Sequence, residues 1–178
     1  NIKSRDESIN QKSLPVVATS SSCTFTLRDE YPHLLGVDNG HVRDGVELVT
    51  RQLYRLLEEG RTLPLGKLPL RVAYHTPCHL ERMGWTAYTL ALLQRIPGLE
   101  LVMLDSQCCG IAGTYGFKKE NYATSQGIGA PLFQQIEESG VDIVVTDCET
   151  CKWQIEMSTS KRCEHPITLL ARSLAQPE

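Results

Sequence analysis

The chain has 178 residues, of which 41% are hydrophobic and 22% are charged, and its formal net charge is −3. This balance indicates a globular protein with its own core, and the acidic charge without any Lys/Arg tract excludes nucleic acid as a partner. No apolar run approaches the roughly 18–20 residues that a membrane-spanning helix needs.

The first sixty residues predict a strand, a partly helical stretch and one long helix. A short apolar run at 14–19 predicts a buried strand, and residues 20–23 predict a loop. Residues 24–35 are expected to be helical in part. Apolar residues at helical spacing predict an amphipathic helix over 44–59 that packs on the core and ends at Gly60.

Beyond this helix, a linker at 61–69 leads into strands that alternate with helices. The predicted strands are 70–74, 99–104 and 141–146, and the predicted helices are 85–96, 118–124, 131–138, 152–157 and 166–174. Alternation of this kind predicts an α/β fold, with a small, mostly parallel sheet flanked by helices.

The chain contains seven cysteines, which are Cys23, Cys78, Cys108, Cys109, Cys148, Cys151 and Cys163. The odd count and the adjacent pair argue against a disulfide framework and favour metal binding or redox chemistry. Five of them follow the ends of three successive predicted strands, which are 70–74, 99–104 and 141–146. Sites in open α/β sheets form beyond the carboxyl ends of the strands, so these five are expected to converge.

The converging cysteines predict a cluster of several irons. Thiolates select iron–sulfur clusters, zinc or copper(I), and the Cys148-x-x-Cys151 spacing suits both zinc and iron–sulfur sites. The adjacent Cys108 and Cys109 are awkward ligands for one small ion, and five thiolates exceed the four that zinc takes. Gly110 and Gly113 are expected to allow close backbone approach and unusual dihedral angles.

A lone cysteine, a Cys-Cys-Gly and a Cys-x-x-Cys, with residues 74–79 (YHTPCH) and 108–113 (CCGIAG), resemble the cysteine-rich CCG domain. The likeness covers residues 70–174 and is greatest to the branch found in anaerobic glycerol-3-phosphate dehydrogenases. The resemblance implies that the five cysteines ligate a 4Fe–4S cluster, possibly of the noncubane type. It also implies an electron-transfer subunit that takes electrons from flavoprotein subunits and passes them to quinone.

The same resemblance implies peripheral attachment at the cytoplasmic face of the inner membrane. Two alternatives remain open at this stage: a structural zinc-binding module, and a thiol/disulfide site like that of heterodisulfide reductase. Residues 17–23 and 30–32 resemble the tail of a preceding CCG domain, with Ser20 where a first ligand cysteine would stand. We therefore expect the tail of a degenerate domain at 1–60, a linker at 61–69, a complete domain at 70–178, and further sequence upstream.

The remaining candidate residues favour ordinary roles. His75 and His79 flank Cys78 but are expected to cap or pack locally, because five thiolates already supply any site. Cys163 is expected to be a buried small hydrophobe. The role of Cys23 stays open between a relic ligand and a buried thiol. The glycines of residues 127–129 lack the strand and third glycine of a nucleotide-binding loop.

Overall fold

A computed structural model describes residues 2–105 and 107–174 of the chain. Its first segment, residues 2–60, contains a two-stranded parallel sheet in which β1 (Val16–Ala18) pairs with β2 (Val46–Leu48). The helices of this segment are α1 (Ile2–Asp6), α2 (Ser21–Phe25), α3 (Tyr31–Leu35), α4 (Gly40–Arg43) and α5 (Val49–Glu58). Single π-helical turns follow α1 and α2.

The second segment, residues 70–174, contains a four-stranded sheet whose pairings are all parallel and whose order is β4-β3-β5-β6. Its strands are β3 (Arg71–Tyr74), β4 (Glu100–Met103), β5 (Ile143–Val145) and β6 (Cys163–Glu164). Its helices are α6 (Cys78–Met83), α7 (Thr86–Leu93), α8 (Tyr122–Glu138), α9 (Glu149–Ser158) and α10 (Pro166–Ser173). The predicted α/β class and parallel sheet are confirmed.

Both faces of the larger sheet are covered by apolar side chains. Neighbouring residues of a strand point to opposite faces, and Val144 and Val145 accordingly belong to different buried clusters. The Val145 cluster packs under α7 and α10, whereas the Val144 cluster contains Ile155 of α9 and four buried cysteines, which are Cys109, Cys148, Cys151 and Cys163. The strands are therefore buried from two sides, as parallel strands usually are.

The predicted helix over 44–59 is wrong in its first part. Residues Val46–Leu48 form β2, fully buried beside β1, and only Val49–Glu58 is helical. The helical spacing of apolar residues in α5 extends back to Val46, which explains the prediction. These residues instead pair with β1, for which β2 is the only partner strand among the described residues. The predicted buried strand at 14–19 shortens to Val16–Ala18, and Val17 is exposed.

The predicted helix at 131–138 and the end of the one predicted at 118–124 belong to one helix, α8, which begins at Tyr122 after a 3-10 turn at Lys119–Asn121. Helix α8 runs without interruption through Gly127, Gly129 and Pro131. A Cβ atom on Gly129 would lie 2.6 Å from the Cys109 carbonyl oxygen, so this glycine lets the helix pack closely against the cysteine loop. Gly129, which lies between the two predicted helices, thus serves the packing of one continuous helix.

Three further local differences concern the residues around the cysteines. The predicted loop at 20–23 is mostly helical, since α2 begins at Ser21. Cys78, which lies outside all of the predicted helices, is the first residue of the short helix α6. The two-residue strand β6 was not predicted because so short a strand leaves no alternation in the sequence. No helix in the described parts of the chain is long and apolar enough to cross a membrane.

A buried carboxylate joins the two segments beside the cysteines. Asp147 accepts hydrogen bonds from the Tyr74 hydroxyl (2.5 Å) and from the Thr50 and Thr89 hydroxyls (3.3 and 3.0 Å). Its backbone oxygen accepts the Ser21 N–H at 2.8 Å. Burial raises the pKa of Asp147. The residue before Cys148 is thus fixed by both segments.

Candidate iron–sulfur site

The five cysteines predicted to converge line a single cavity of about 330 Å³. Each group follows a strand of the parallel sheet: Cys78 follows β3, Cys108 and Cys109 follow β4, and Cys148 and Cys151 follow β5. The strand ends meet at one edge because β4, β3 and β5 are adjacent and parallel. The structure brings these residues together, and their role as ligands stays a prediction.

The sulfur atoms form a continuous row of neighbours. Cys109 Sγ lies 3.3 Å from Cys151 Sγ, and thiol interactions link Cys78 to Cys108, Cys108 to Cys109, and Cys151 to Cys148. All are free thiols. Cys109, Cys148 and Cys151 are buried, whereas Cys78 and Cys108 are exposed. The row therefore runs from solvent into the core.

The close contacts between these thiols shift their pKa values in opposite directions along the row. Hydrogen bonds from Cys109 and Cys78 lower the pKa of the Cys108 thiol to about 2, and those from Cys151, Ser22 and Thr150 lower the pKa of Cys148 to about 5. The same interaction with Cys108 raises the pKa of Cys109 to about 12. Thiolates this close repel one another, so a cation that shares the site favours the fully ionised set.

The imidazole of His75 is part of the cavity wall. Its side chain is 2% exposed, and its Nε2 atom has no hydrogen-bond partner among the described residues. The potential ligand atoms of His75, Cys109 and Cys151 all lie within 4.8 Å of one another. Burial lowers the pKa of His75 to about 4, so the ring is neutral near pH 7. From the sequence, His75 was expected to cap or pack locally. Its position three residues before Cys78 was the one signal that it could belong to the site.

The Cys-Cys-Gly loop has the unusual backbone that its glycines predict. Gly110 and Gly113 have φ values of 85° and 65°, and Ala112 between them has 45°. A Cβ atom on Gly110 would lie 2.0 Å from the Ser125 carbonyl oxygen. The Ser125 hydroxyl donates to the Gly110 carbonyl at 2.8 Å, which anchors the loop to α8. Ser125, which sequence reasoning missed, therefore helps to hold Cys108 and Cys109.

The amide of Gln154 extends this anchor to α9. Its Nε2 donates to Ser125 Oγ at 2.9 Å, and both side chains are buried. Helix α9 carries Cys151 in its first turn, with Cys148 as its N-cap residue. One hydrogen-bonded path therefore joins the loop after β4 to the helix after β5.

The first segment also contributes to the cavity wall. Ser22 of α2 lines the cavity, with its Oγ 3.4 Å from Cys148 Sγ and 2.9 Å from His79 Nδ1. The His79 ring stacks on Phe25 at 4.8 Å between centroids, with 7° between the planes. Nothing in the local sequence pattern predicted this contact.

Two cysteines stay outside the cavity lining. Cys163 is 1% exposed in β6 and packs in the cluster below the site, as a buried small hydrophobe would. Burial raises the pKa of its thiol. Cys23 is exposed on α2 and does not face the five-cysteine row.

Comparison with known proteins shows relatives along nearly the whole chain. A subunit of the anaerobic glycerol-3-phosphate dehydrogenase of Escherichia coli (strain K12) is 73% identical over 175 residues, which is 98% of this chain and 44% of that protein. A subunit of the CoM/CoB fumarate reductase of Methanothermobacter marburgensis is 31% identical over 82% of this chain and 28% of its own length. An uncharacterized iron–sulfur protein of Methanocaldococcus jannaschii is 30% identical over 82% of this chain and 27% of its own length.

The chain spans less than half of the length of these relatives. The model of the cysteine-rich domain family CCG matches residues 72–156, a stretch that contains most of β3, the whole of β4 and β5, and all five cavity-lining cysteines. The resemblance inferred from the sequence motifs is thus confirmed. Over residues 72–156, the chain is therefore similar to the cysteine-rich CCG domain family.

Proposed function

We propose that Cys78, Cys108, Cys109, Cys148 and Cys151 together ligate an iron–sulfur cluster of the noncubane 4Fe–4S type. The observation that carries this proposal is the convergence of five free thiols, from three strand ends, around one cavity. Iron–sulfur clusters are held by cysteine thiolates, and a multi-iron centre has room for both members of the adjacent pair.

The cavity fits such a group in size and chemistry. Its volume of about 330 Å³ is roughly ten times the 30 Å³ that one water molecule occupies in the liquid. His75 Nε2 is a buried polar atom without a partner in the described chain, which is the condition expected where a bound group supplies the missing contact. The Gly110 N–H already points at Cys108 Sγ at 3.3 Å, as donors to cluster sulfurs do.

A bound cluster would supply one-electron transfer. The chain's own residues would hold it at the sheet edge, with Cys109, Cys148 and Cys151 buried and Cys78 and Cys108 on the solvent side. This change from buried to exposed ligands supports electron transfer between a buried cluster and a partner protein at the exposed end. Besides the thiols, the described lining offers the imidazoles of His75 and His79 and the single carboxylate of Glu30. It has no carboxylate pair for acid–base chemistry, which favours electron transfer over substrate turnover.

The relatives give this role a context. We propose that the chain is part of the electron-transfer subunit of an anaerobic glycerol-3-phosphate dehydrogenase. Flavoprotein subunits would deliver electrons to it, and membrane quinone would accept them. The 73% identity to one subunit of the Escherichia coli enzyme supports this assignment. Peripheral attachment at the cytoplasmic face of the inner membrane, through the complex, belongs to the same proposal.

A structural zinc site is the second candidate. Its support is the buried trio of His75, Cys109 and Cys151, whose ligand atoms lie within 4.8 Å of one another. With Cys148 as a fourth ligand, this set would satisfy tetrahedral zinc. Such a site would leave Cys78 and Cys108 spare.

Single substitutions of the adjacent pair separate the two candidates. In anaerobically purified protein, Cys108→Ser and Cys109→Ser should each remove most of the iron and acid-labile sulfide, because the cluster uses both thiolates. A zinc site should tolerate Cys108→Ser. The exposed Cys23 provides the control, since Cys23→Ser should keep the parent's metal content. Full zinc occupancy in Cys108→Ser, with no iron in the parent, would overturn the proposal.

A further inference from the structure

The first segment places a hydroxyl group against the cysteine row. Ser22 Oγ lies 3.4 Å from Cys148 Sγ and 2.9 Å from His79 Nδ1, so one oxygen bridges a cavity-lining sulfur and an imidazole. The residues come from three elements: Ser22 from α2, His79 from α6, and Cys148 from the N-cap of α9. The contact between Ser22 and Cys148 joins positions 126 residues apart.

Several contacts hold this hydroxyl in place. The backbone N–H of the preceding Ser21 donates to the Asp147 carbonyl at 2.8 Å, which fixes the start of α2 beside Cys148. The ring of Phe25, one turn further along α2, stacks on the ring of His79. The Arg82 guanidinium lies over the Phe25 ring, 5.3 Å from its centroid. A backbone hydrogen bond therefore holds α2 beside Cys148, and ring stacking holds His79 in place.

Ligation of a metal by Cys148 determines the direction of these hydrogen bonds. A metal-bound thiolate carries no proton and can only accept, so the Ser22 O–H must donate to Cys148 Sγ. The Ser22 oxygen then accepts, and the Nδ1 atom of His79 must carry the proton that it receives. The order is His79 Nδ1–H to Ser22 Oγ–H to Cys148 Sγ.

We propose that Ser22 and His79 form a hydrogen-bonded pair that raises the reduction potential of the cluster through Cys148. This inference rests on the proposed cluster. Hydrogen bonds to ligand sulfurs favour the reduced, more negative state and so raise the potential. Ser22 is a positioning residue contributed by the segment that resembles a degenerate domain. That segment thus takes part in the chemistry of the second segment without supplying a thiolate.

The test is a redox titration of the full-length protein, with EPR detection of the reduced cluster. Ser22→Ala should retain the parent's iron and sulfide and shift the midpoint potential to a more negative value. Ser21→Ala is the matched control, because Ser21 is buried on the same helix and its Oγ has no partner among the described residues. Its potential should equal that of the parent.

The role of His79 is tested by a double-mutant cycle. His79→Ala should shift the potential in the same direction as Ser22→Ala and add a smaller shift in the Ser22→Ala background, because its effect passes through the hydroxyl. Equal shifts in both backgrounds would overturn the ordered pair. An unchanged potential in a fully loaded Ser22→Ala protein would overturn the proposed pair and leave the proposed cluster standing. A parent that contains zinc and no iron would overturn the proposed cluster, and this inference with it.

Discussion

The two segments of the chain repeat one local arrangement with opposite outcomes. In the first segment, β1 leads to Ser20 at the N-cap of α2 and to Cys23 in its first turn. In the second, β5 leads to Cys148 at the N-cap of α9 and to Cys151 in its first turn. Each strand also pairs in parallel with a later strand that precedes another helix.

The difference lies in which side chains reach the cavity. Cys151 is buried in the cysteine row, whereas Cys23 is exposed and outside it. The first segment instead provides Ser22, which occupies the same helical position as Thr150, and both hydroxyls lie near Cys148 Sγ. A strand followed by a helix with two suitably spaced residues is therefore not enough to make a thiolate site. The site also requires the loop with Cys108 and Cys109, which follows β4, to lie against the start of that helix.

The largest expected effect comes from exchanging the two equivalent cysteines for serine. Cys151→Ser should abolish cluster binding, because Cys151 is buried and lies between Cys109 and Cys148 in the row. Cys23→Ser should leave iron and sulfide at the level of the parent. Metal analysis of both anaerobically purified variants checks this contrast, and a loss of iron in Cys23→Ser would show that the first segment supplies a ligand.

A glycine substitution tests the cysteine loop that only the second segment has. Gly110→Ala should destabilise the fold by about 3 kcal/mol and lower iron content, because a Cβ would meet the Ser125 carbonyl at 2.0 Å and φ is 85°. Gly113→Ala, with φ 65° and no atom within 4 Å of the added Cβ, should cost only about 1 kcal/mol. Urea unfolding measures both, and equal costs would contradict close packing at Gly110.

Removing the carboxylate that joins the two segments should have the next largest effect. Asp147→Ala should lower the free energy of unfolding by about 2 kcal/mol, because it leaves the buried hydroxyls of Tyr74, Thr50 and Thr89 without their shared acceptor. The control is Asp44→Ala, whose carboxylate is 92% exposed beside Arg28. That change should cost at most about 0.5 kcal/mol. Similar unfolding midpoints for the two variants would count against a structural role for Asp147.

The smallest effect is expected at the cysteine that packs below the site. Cys163→Ala should cost about 1 kcal/mol in unfolding free energy, since it removes one buried sulfur from the core. Iron content and the EPR signal should not change. A variant that folds but loses its cluster would identify Cys163 as a sixth ligand.

The sequence was sufficient for the convergence of the cysteines but not for their surroundings. Alternating strands and helices imply parallel strands, and cysteines after three such strands must meet at one edge, as Cys78, Cys109 and Cys148 do. The strand β2 was hidden because the apolar spacing of α5 continues backward through Val46. Local periodicity cannot separate a short buried strand from the first turn of a helix.

Contacts between distant parts of the chain account for the other differences. Glycine and proline usually weaken a helix, yet α8 passes through Gly129 and Pro131, and Gly129 lets the cysteine loop pack closely against it. The place of Ser22 beside Cys148 depends on how the two segments meet, which no spacing in the sequence encodes. The division into domains at 1–60, 61–69 and 70–178 stays a prediction, and Asn1, Ser106 and residues 175–178 lie outside the described residues.

The most direct test of the five-cysteine site is the quantification of iron, acid-labile sulfide and zinc in full-length protein purified without oxygen. We predict iron and sulfide in equal amounts, an EPR signal on reduction, and no stoichiometric zinc. Stoichiometric zinc with neither iron nor sulfide would contradict the cluster and favour the His75–Cys109–Cys151 zinc site instead.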